Sequence, residues 1–411
     1  MISRHWFFTC FLALLGAGTT AAFAQNPCNV NPAKVMQEIK NPHNDLTLLA
    51  AHRGIHALFD TMLYRSTPEN SLQAIQNAAQ ECIEIVELDI RLTKDGVPVL
   101  SHDSTWGRET NVGDHFGDRQ LYDPWINVGP NPPVNSWTLR SIQEDNGGIL
   151  LRNSVDFAWS KWYERPPTLQ MALDFITANK MKLVLALDVK DPAALDAAWN
   201  VIARNGFYQV TFFKIDAGLW PNPNSVDLFF KDRSYVCKCS TKDDRYVNIM
   251  PIFNTSNIAP NNGFGYEGGE GKVWGAVSEY LLYHSWRWYM GVEINIKQPG
   301  GILDSTHDMV RSWLGSASKG GLAIFNPRRE YVGADGSSQY YNSDGRCCSK
   351  LQAYWFDGRP HGLPSDTADL RPDWTFIFDD KHFTLITSDN VLQLRTELQQ
   401  RKRRNISRIR N

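Results

Sequence analysis

The chain carries no surplus of positive charge: 42 Lys and Arg stand against 44 Asp and Glu. A general nucleic-acid partner is thereby disfavoured, because such proteins need a basic surface to displace counterions from phosphates. No apolar run reaches the roughly 20 residues that span a bilayer. There is no internal repeat and no low-complexity tract. The glycine-rich stretch 263–271 lacks the strand–turn–helix setting and the lysine of a phosphate loop. No C-x-x-C pair faces a second pair or a histidine cluster, as a structural zinc site requires. What is present is an ordinary globular composition, 42% hydrophobic and 21% charged, enough for a large core.

The two ends read differently from the middle. Arg4 and His5 precede a short apolar stretch, Phe7 to Leu15, and small residues end in Ala22-Phe23-Ala24. Residues 1–24 therefore read as a signal peptide, which predicts export to the periplasm or the medium and permits disulfides. Six cysteines then remain: Cys28, Cys82, Cys237, Cys239, Cys347 and Cys348. Sequence does not give their pairing, but Cys347 and Cys348 are expected to find distant partners rather than each other. Residues 25–45 read as an N-terminal extension and 46–398 as the folded domain. Residues 399–411, with Arg401-Lys402-Arg403-Arg404, Arg408 and Arg410, read as a basic, disordered tail. A tail attracted to an anionic membrane surface is the alternative.

Short apolar runs rich in Val, Ile and Leu recur between helical patterns, the mark of buried parallel strands. They are 46–51, 83–92, 97–100, 183–189, 210–215, 249–253, 292–296, 322–325 and 383–387. A helix is expected from about Pro68 to Cys82 with Thr67 as cap, and another from Leu169 to Ala178 opened by Pro167-Thr168. Alternating strands and helices over this length predict an α/β fold, a TIM-type (β/α)8 barrel. Nine candidates are one more than eight, so one strand lies outside the barrel. Long loop insertions, 104–154, 256–272 and 326–373, are expected to decorate its C-terminal face.

The chemistry sits at the strand ends. Glu87 and Asp89 lie two apart in Val86-Glu87-Leu88-Asp89-Ile90 and so point to one side. Adjacent carboxylates repel unless a positive charge separates them, and a hard divalent cation, Mg²⁺ or Ca²⁺, suits oxygen ligands. Ala51-His52-Arg53-Gly54, Ser101-His102-Asp103 and Leu187-Asp188-Val189-Lys190 close other strands. So many ionisable groups at one barrel mouth are costly as mere packing. Glu87, Asp89 and Asp188 can hold one cation. Arg53 and Lys190 can bind a phosphodiester. His52 and His102 can serve as base and acid near neutral pH.

The segments AHRG (51–54), PENSLQAIQNAA (68–79), VELDIRLTKDGVPVLSHD (86–103), Arg108 and Thr110-Asn111 closely resemble the glycerophosphodiester phosphodiesterase family, within the phospholipase C-like phosphodiesterase barrels. PTLQMALDFI (167–176), LDVK (187–190) and, more loosely, LITSD (385–389) add to the resemblance. It implies a TIM barrel that hydrolyses glycerophosphodiesters to an alcohol and glycerol phosphate, through a cyclic phosphate. It implies His52 and His102 as the acid–base pair, Glu87 and Asp89 on one divalent cation, Arg53 and Lys190 on phosphate, and Glu69 behind them. The family's usual E-x-K is here Asp188-Val189-Lys190. The similar sphingomyelinase D toxins use D-x-K, which keeps a phospholipase D-like reaction on a lysophospholipid or sphingophospholipid as the alternative. The partner is thus a small-molecule or lipid-derived phosphodiester. Trp220, Trp274, Trp286, Trp288, Tyr289 and Trp313 either fill the helix–barrel interface or form a rim for peripheral membrane contact; filling is the expected use.

Overall fold

The computed structural model of the chain describes residues 28–57, 64–117, 119–153, 157, 159–160, 163–231, 247–258, 270–284, 289–317, 321–334, 337–350 and 368–411. The proposed signal segment, Cys237, Cys239, Trp286, Trp288 and the glycine-rich stretch lie outside the described residues, except that 270 and 271 open a helix.

The strands are β1 Leu48–Ala51, β2 Ile85–Leu92, β3 Pro98–Leu100, β4 Val184–Val189, β5 Thr211–Asp216, β6 Ile249–Phe253, β7 Gly291–Ile294, β8 Gly321–Asn326, β9 Tyr331–Val332, β10 Ser338–Tyr340, β11 Ser349–Lys350 and β12 Leu385–Ser388. Eight of them run parallel in the order β1, β12, β8, β7, β6, β5, β4, β2, and β2 pairs back to β1. This closed ring is a TIM barrel. The supernumerary strand is β3. It pairs antiparallel with β2, Ile90 opposite Leu100 and Leu92 opposite Pro98. His102 therefore does not end a barrel strand, as the sequence suggested; a hairpin carries it back to the mouth.

Each strand alternates. Leu48 and Ala50, Val184 and Ala186, with Ile85, Phe212, Met250, Met290, Ala323 and Leu385, form one core inside the ring. Their neighbours Leu49, Ala51, Val86, Leu88, Leu185 and Leu187 face the helices in a second core. The helices are α1 Pro32–Lys40, α2 Leu72–Gln80, α3 Leu139–Gln143, α4 Leu169–Ala178, α5 Pro192–Arg204, α6 Pro223–Lys231, α7 Glu270–His284, α8 Ile302–Ala317 and α9 Val391–Gln400. The Thr168 hydroxyl accepts from Met171 N and caps α4 where the sequence placed it. Helix α2 starts later than expected: Ser71, not Thr67, is the cap. Trp220 and Tyr289 are buried in the barrel–helix core, whereas Trp274 is 36% exposed.

The expectation for the end of the chain fails. The basic end is not a disordered tail. Arg404 forms a buried double ion pair with Glu84 at 2.5 and 2.7 Å. Arg408 meets Asp45 at 2.5 Å, and Ile409 is buried against α1 residues Val35, Met36 and Ile39. The N- and C-terminal segments together close the bottom of the ring, where Arg404 has a buried carboxylate to meet and Arg408 a partly exposed one. Replacing Arg404 by alanine leaves Glu84 charged and uncompensated. A loss of about 3–5 kcal/mol is expected in urea unfolding. Cys28 and Cys82 are bridged to each other across 54 residues of sequence.

Two insertions meet over the mouth. Residues 104–153 carry a small core of their own, with Trp106, Val112, Val134, Ile142 and Ile149. Strands β9–β11 lie in the second. Ser104 N donates to Ser343 O at 2.7 Å, and Cys347 N to Pro124 O at 2.9 Å.

Candidate active site

The same alternation that buries Leu48 and Ala50 inside the ring brings His52 to its upper end, and Ile85 is followed on that side by Glu87 and Asp89. The row on β4 runs Val184, Ala186, Asp188, then Lys190. Each row is apolar below and ionisable above. Glu87 and Asp89 are fully buried. Asp188 lies in register with Asp89. Oxygens of Glu87, Asp89 and Asp188 come within 4.8 Å of one another. The shorter side chain at position 188 thus still reaches the group.

Three observations fit a divalent cation here. All donors are oxygens, Glu87 Oε1 is buried without a hydrogen-bond partner, and burial followed by the Asp89 charge pushes the Glu87 carboxyl up to about 7. Lys190 Nζ lies 2.6 Å from Asp89 and 2.7 Å from Asp188. His102, Asp103 and Glu109 also bring three ligand atoms together. Arg108 already neutralises that group, at 2.6 Å from Asp103 and 3.0 Å from Glu109.

Arg53 and Gly54 both adopt positive φ, 55° and 78°. Gly54 has no alternative: a Cβ there would stand 2.7 Å from Ala74. The turn aims Arg53 N at Glu87 Oε2, 2.9 Å away. The Arg53 guanidinium contacts Asp89 at 3.1 Å and Glu69 at 2.9 Å. Glu69 lies ahead of α2 and bridges Arg53 to Arg108, at 2.8 Å. It positions guanidinium groups rather than favouring the helix terminus.

The histidines are held alike and tuned oppositely. His52 Nδ1 meets Asp389 at 2.6 Å, and its Nε2 lies 3.9 Å from Glu87. Burial pulls the His52 value down, but Asp389 and Glu87 outweigh burial and Arg53, and the net shift is upward. His102 Nδ1 meets Asp103 at 2.8 Å. Burial, then Arg53, takes His102 down to about 4 despite Asp89 and Asp103. Environments that separate two titratable groups in this way mark a proton donor and a proton acceptor.

Several participants escape a sequence reading. Asp389 follows β12, 337 residues after the histidine it orients. Asn70, at positive φ, exchanges two 3.0 Å hydrogen bonds with Asp89. That bidentate clamp explains the late start of α2. Lys214 and Glu293 pair at 2.9 Å deep in the ring. Their signal was legible in principle, as charged residues on interior rows of β5 and β7. Asp389 offered only the loose LITSD resemblance.

Above these groups is a cavity of about 230 Å³ lined by His52, Arg53, Glu69, His102 and Asp389 together with Phe325 of β8 and Pro327 to Glu330 of the second insertion. Glu87, Asp89, Asp188 and Lys190 are not among its lining residues. They connect to it through the His52 and Arg53 contacts given above.

A family model described as the glycerophosphoryl diester phosphodiesterase family matches residues 52–225. The chain is 36% identical over 188 residues to an uncharacterized protein of Sinorhizobium fredii, covering 44% of each. It is 38% identical over 125 residues to glycerophosphodiester phosphodiesterase 1 of Rattus norvegicus, covering 30% of this chain and 34% of that one. The match thus spans less than half the length of these relatives. The crystal structure of a glycerophosphoryl diester phosphodiesterase from Parabacteroides distasonis aligns over 90% of this chain and 93% of its own, with a TM-score of 0.52 and 16% identity. That is a likeness of fold.

Proposed function

We propose that the chain, whose residues 52–225 match the glycerophosphoryl diester phosphodiesterase family model, hydrolyses glycerophosphodiesters to an alcohol and glycerol phosphate, using one divalent cation, Mg²⁺ or Ca²⁺. The observation that carries the reading is the placement of two carboxylate-oriented histidines in one cavity, with a buried three-carboxylate group adjoining it through His52 and Arg53.

Neutral His102 holds its Nδ1 proton toward Asp103, which leaves Nε2 free to accept. It takes the proton of the glycerol 2-hydroxyl as that oxygen bonds to phosphorus. Protonated His52, held by Asp389, gives its proton to the departing alcohol as the P–O bond breaks. Water then opens the resulting cyclic phosphate, with the two roles exchanged. Arg53 lines the cavity and faces the phosphoryl oxygens; Lys190 keeps Asp89 and Asp188 charge-balanced and adds positive potential. Glu87, Asp89 and Asp188 would hold the cation, which would supply electrostatic stabilisation of charge on the phosphoryl group.

A second reading has one observation in its favour. Trp125, at the cavity wall, is 48% exposed, next to Ile126 at 67%, and packs on exposed Tyr331 with ring centroids 6.0 Å apart. An apolar rim of this kind suits the chain of a lysophospholipid or sphingophospholipid, cleaved in a phospholipase D-like way. Phosphorus NMR of reactions with glycerophosphocholine and with lysophosphatidylcholine separates the two. The first reading predicts a glycerol phosphate resonance from glycerophosphocholine. Turnover confined to the lysolipid sinks it, and turnover of neither sinks both.

A further inference from the structure

Glu330 belongs to no motif and has no role in the steps above. It follows β8 in the stretch that crosses the cavity, and its side chain lines the cavity together with His52, Arg53 and His102. Its backbone is fixed, since Glu330 N donates to Gln339 O at 3.1 Å. Its neighbour Arg328 is anchored through its N–H to Asp389 at 2.8 Å. Yet Glu330 Oε2 is buried with no hydrogen-bond partner. Buried carboxyl oxygens are normally paired, and an orphan in a ligand cavity is a group awaiting its partner.

The surroundings narrow what that partner is. The charged groups that act on Glu330 are Asp389, Arg53 and Arg108, and Arg328 and Arg329 line the same cavity. A cationic headgroup would meet those guanidinium groups, and an anion would meet Glu330 itself. A neutral donor meets neither objection. We propose that Glu330 is a specificity-determining residue that accepts a hydrogen bond from a free hydroxyl of the substrate's glycerol, the terminal one not used in attack on phosphorus. The inference rests on the glycerophosphodiesterase reading and deepens it: it assigns the polyol end of the substrate to the second insertion. A site built to bond a hydroxyl rejects an analogue without it, because its own polar group is then left buried and unpaired.

The test compares glycerophosphocholine with (2-hydroxyethyl)phosphocholine, which keeps the attacking hydroxyl but lacks the terminal CH2OH. Wild type should favour the glycerol substrate in kcat/KM by about 10- to 100-fold, the range expected for hydrogen bonds to charged groups. Glu330→Ala should lose most of that preference through the glycerol substrate alone. Glu330→Gln, which still offers a carbonyl oxygen, should recover part of it. Thermal unfolding of both variants should match or exceed wild type, since an unpaired buried carboxyl is removed. Equal loss on both substrates, or an unchanged preference in Glu330→Ala, overturns the inference. Turnover of neither substrate by wild type removes the phosphodiesterase reading and this inference with it, a result distinct from turnover without discrimination.

Discussion

His52→Ala and His102→Ala should each lower kcat on a glycerophosphodiester by about 10²- to 10⁴-fold, the usual contribution of a positioned acid or base. The double variant should lose little more than either single one, because donor and acceptor act in one step. KM should change less than kcat, since the imidazoles act on moving protons and Arg53 faces the phosphate. The pH profile adds a signature. His102 lies down at about 4, so it is a neutral acceptor above that pH and the rate should rise as pH passes it. His52 lies above its ordinary value, so it stays a donor at neutral pH and the rate should fall as it loses its proton. In His102→Ala the residual rate should lose the acid limb and keep the alkaline one. Retention of most activity by either variant would exclude the two-histidine mechanism. Asp389→Asn, which withdraws the carboxylate holding His52 Nδ1 at 2.6 Å, should act in the same direction by positioning. It should also pull in the alkaline limb, because the charge that raises His52 is gone.

Stripping divalent cations should cost about three orders of magnitude, corresponding to several kcal/mol of transition-state stabilisation. Adding back Mg²⁺ or Ca²⁺ should restore the rate, and the ion that does so identifies the physiological choice. Glu87→Gln should not be rescued by either. Stability gives a readout that does not depend on turnover. Without a cation, burial and Asp89 push Glu87 up to about 7, above its unfolded value. The folded state then holds the extra proton. The stability this contributes is fully present below the unfolded value of about 4.3 and is lost as pH rises through 7. Cation-free protein should therefore weaken over that window. A cation should raise the melting temperature most at the upper end, where Glu87 is ionised, by mass action on the folded state. Glu87→Gln should flatten the pH dependence and abolish the cation's effect. Full activity after exhaustive chelation, or a melting temperature indifferent to cations, would remove the metal from the mechanism.

Which parts of this were legible in the chain follows from where each signal resides. Period-two alternation is local, so the row Ile85, Glu87, Asp89 announced an interior face, and the cost of burying charge made that row a site. Thr168 announced α4 by the same local logic. Strand 97–100 looked like its neighbours because apolar content does not encode direction; only its pairing with β2 shows that it runs backwards. The basic end looked like a tail because charge runs usually are solvated. Its partners, Glu84 and Asp45, are more than three hundred residues away.

The chain alone thus gives the barrel class and nominates a central group: His52, Arg53, Glu87, Asp89, His102, Asp188 and Lys190. Period-two spacing within each strand is what nominates Glu87 with Asp89 and Asp188 with Lys190. The tertiary structure decides everything that depends on one segment meeting another. It pairs Asp389 with His52, Asn70 with Asp89, and Arg108 with Asp103 and Glu69. It folds residues 401–411 under the ring, and it brings Glu330 to the cavity wall. Hydrogen bonds between different segments, whether 5 residues apart or 337, leave no periodicity in either one. The opposite tuning of two chemically identical imidazoles belongs to this second class, because it is set by the charges packed around each ring.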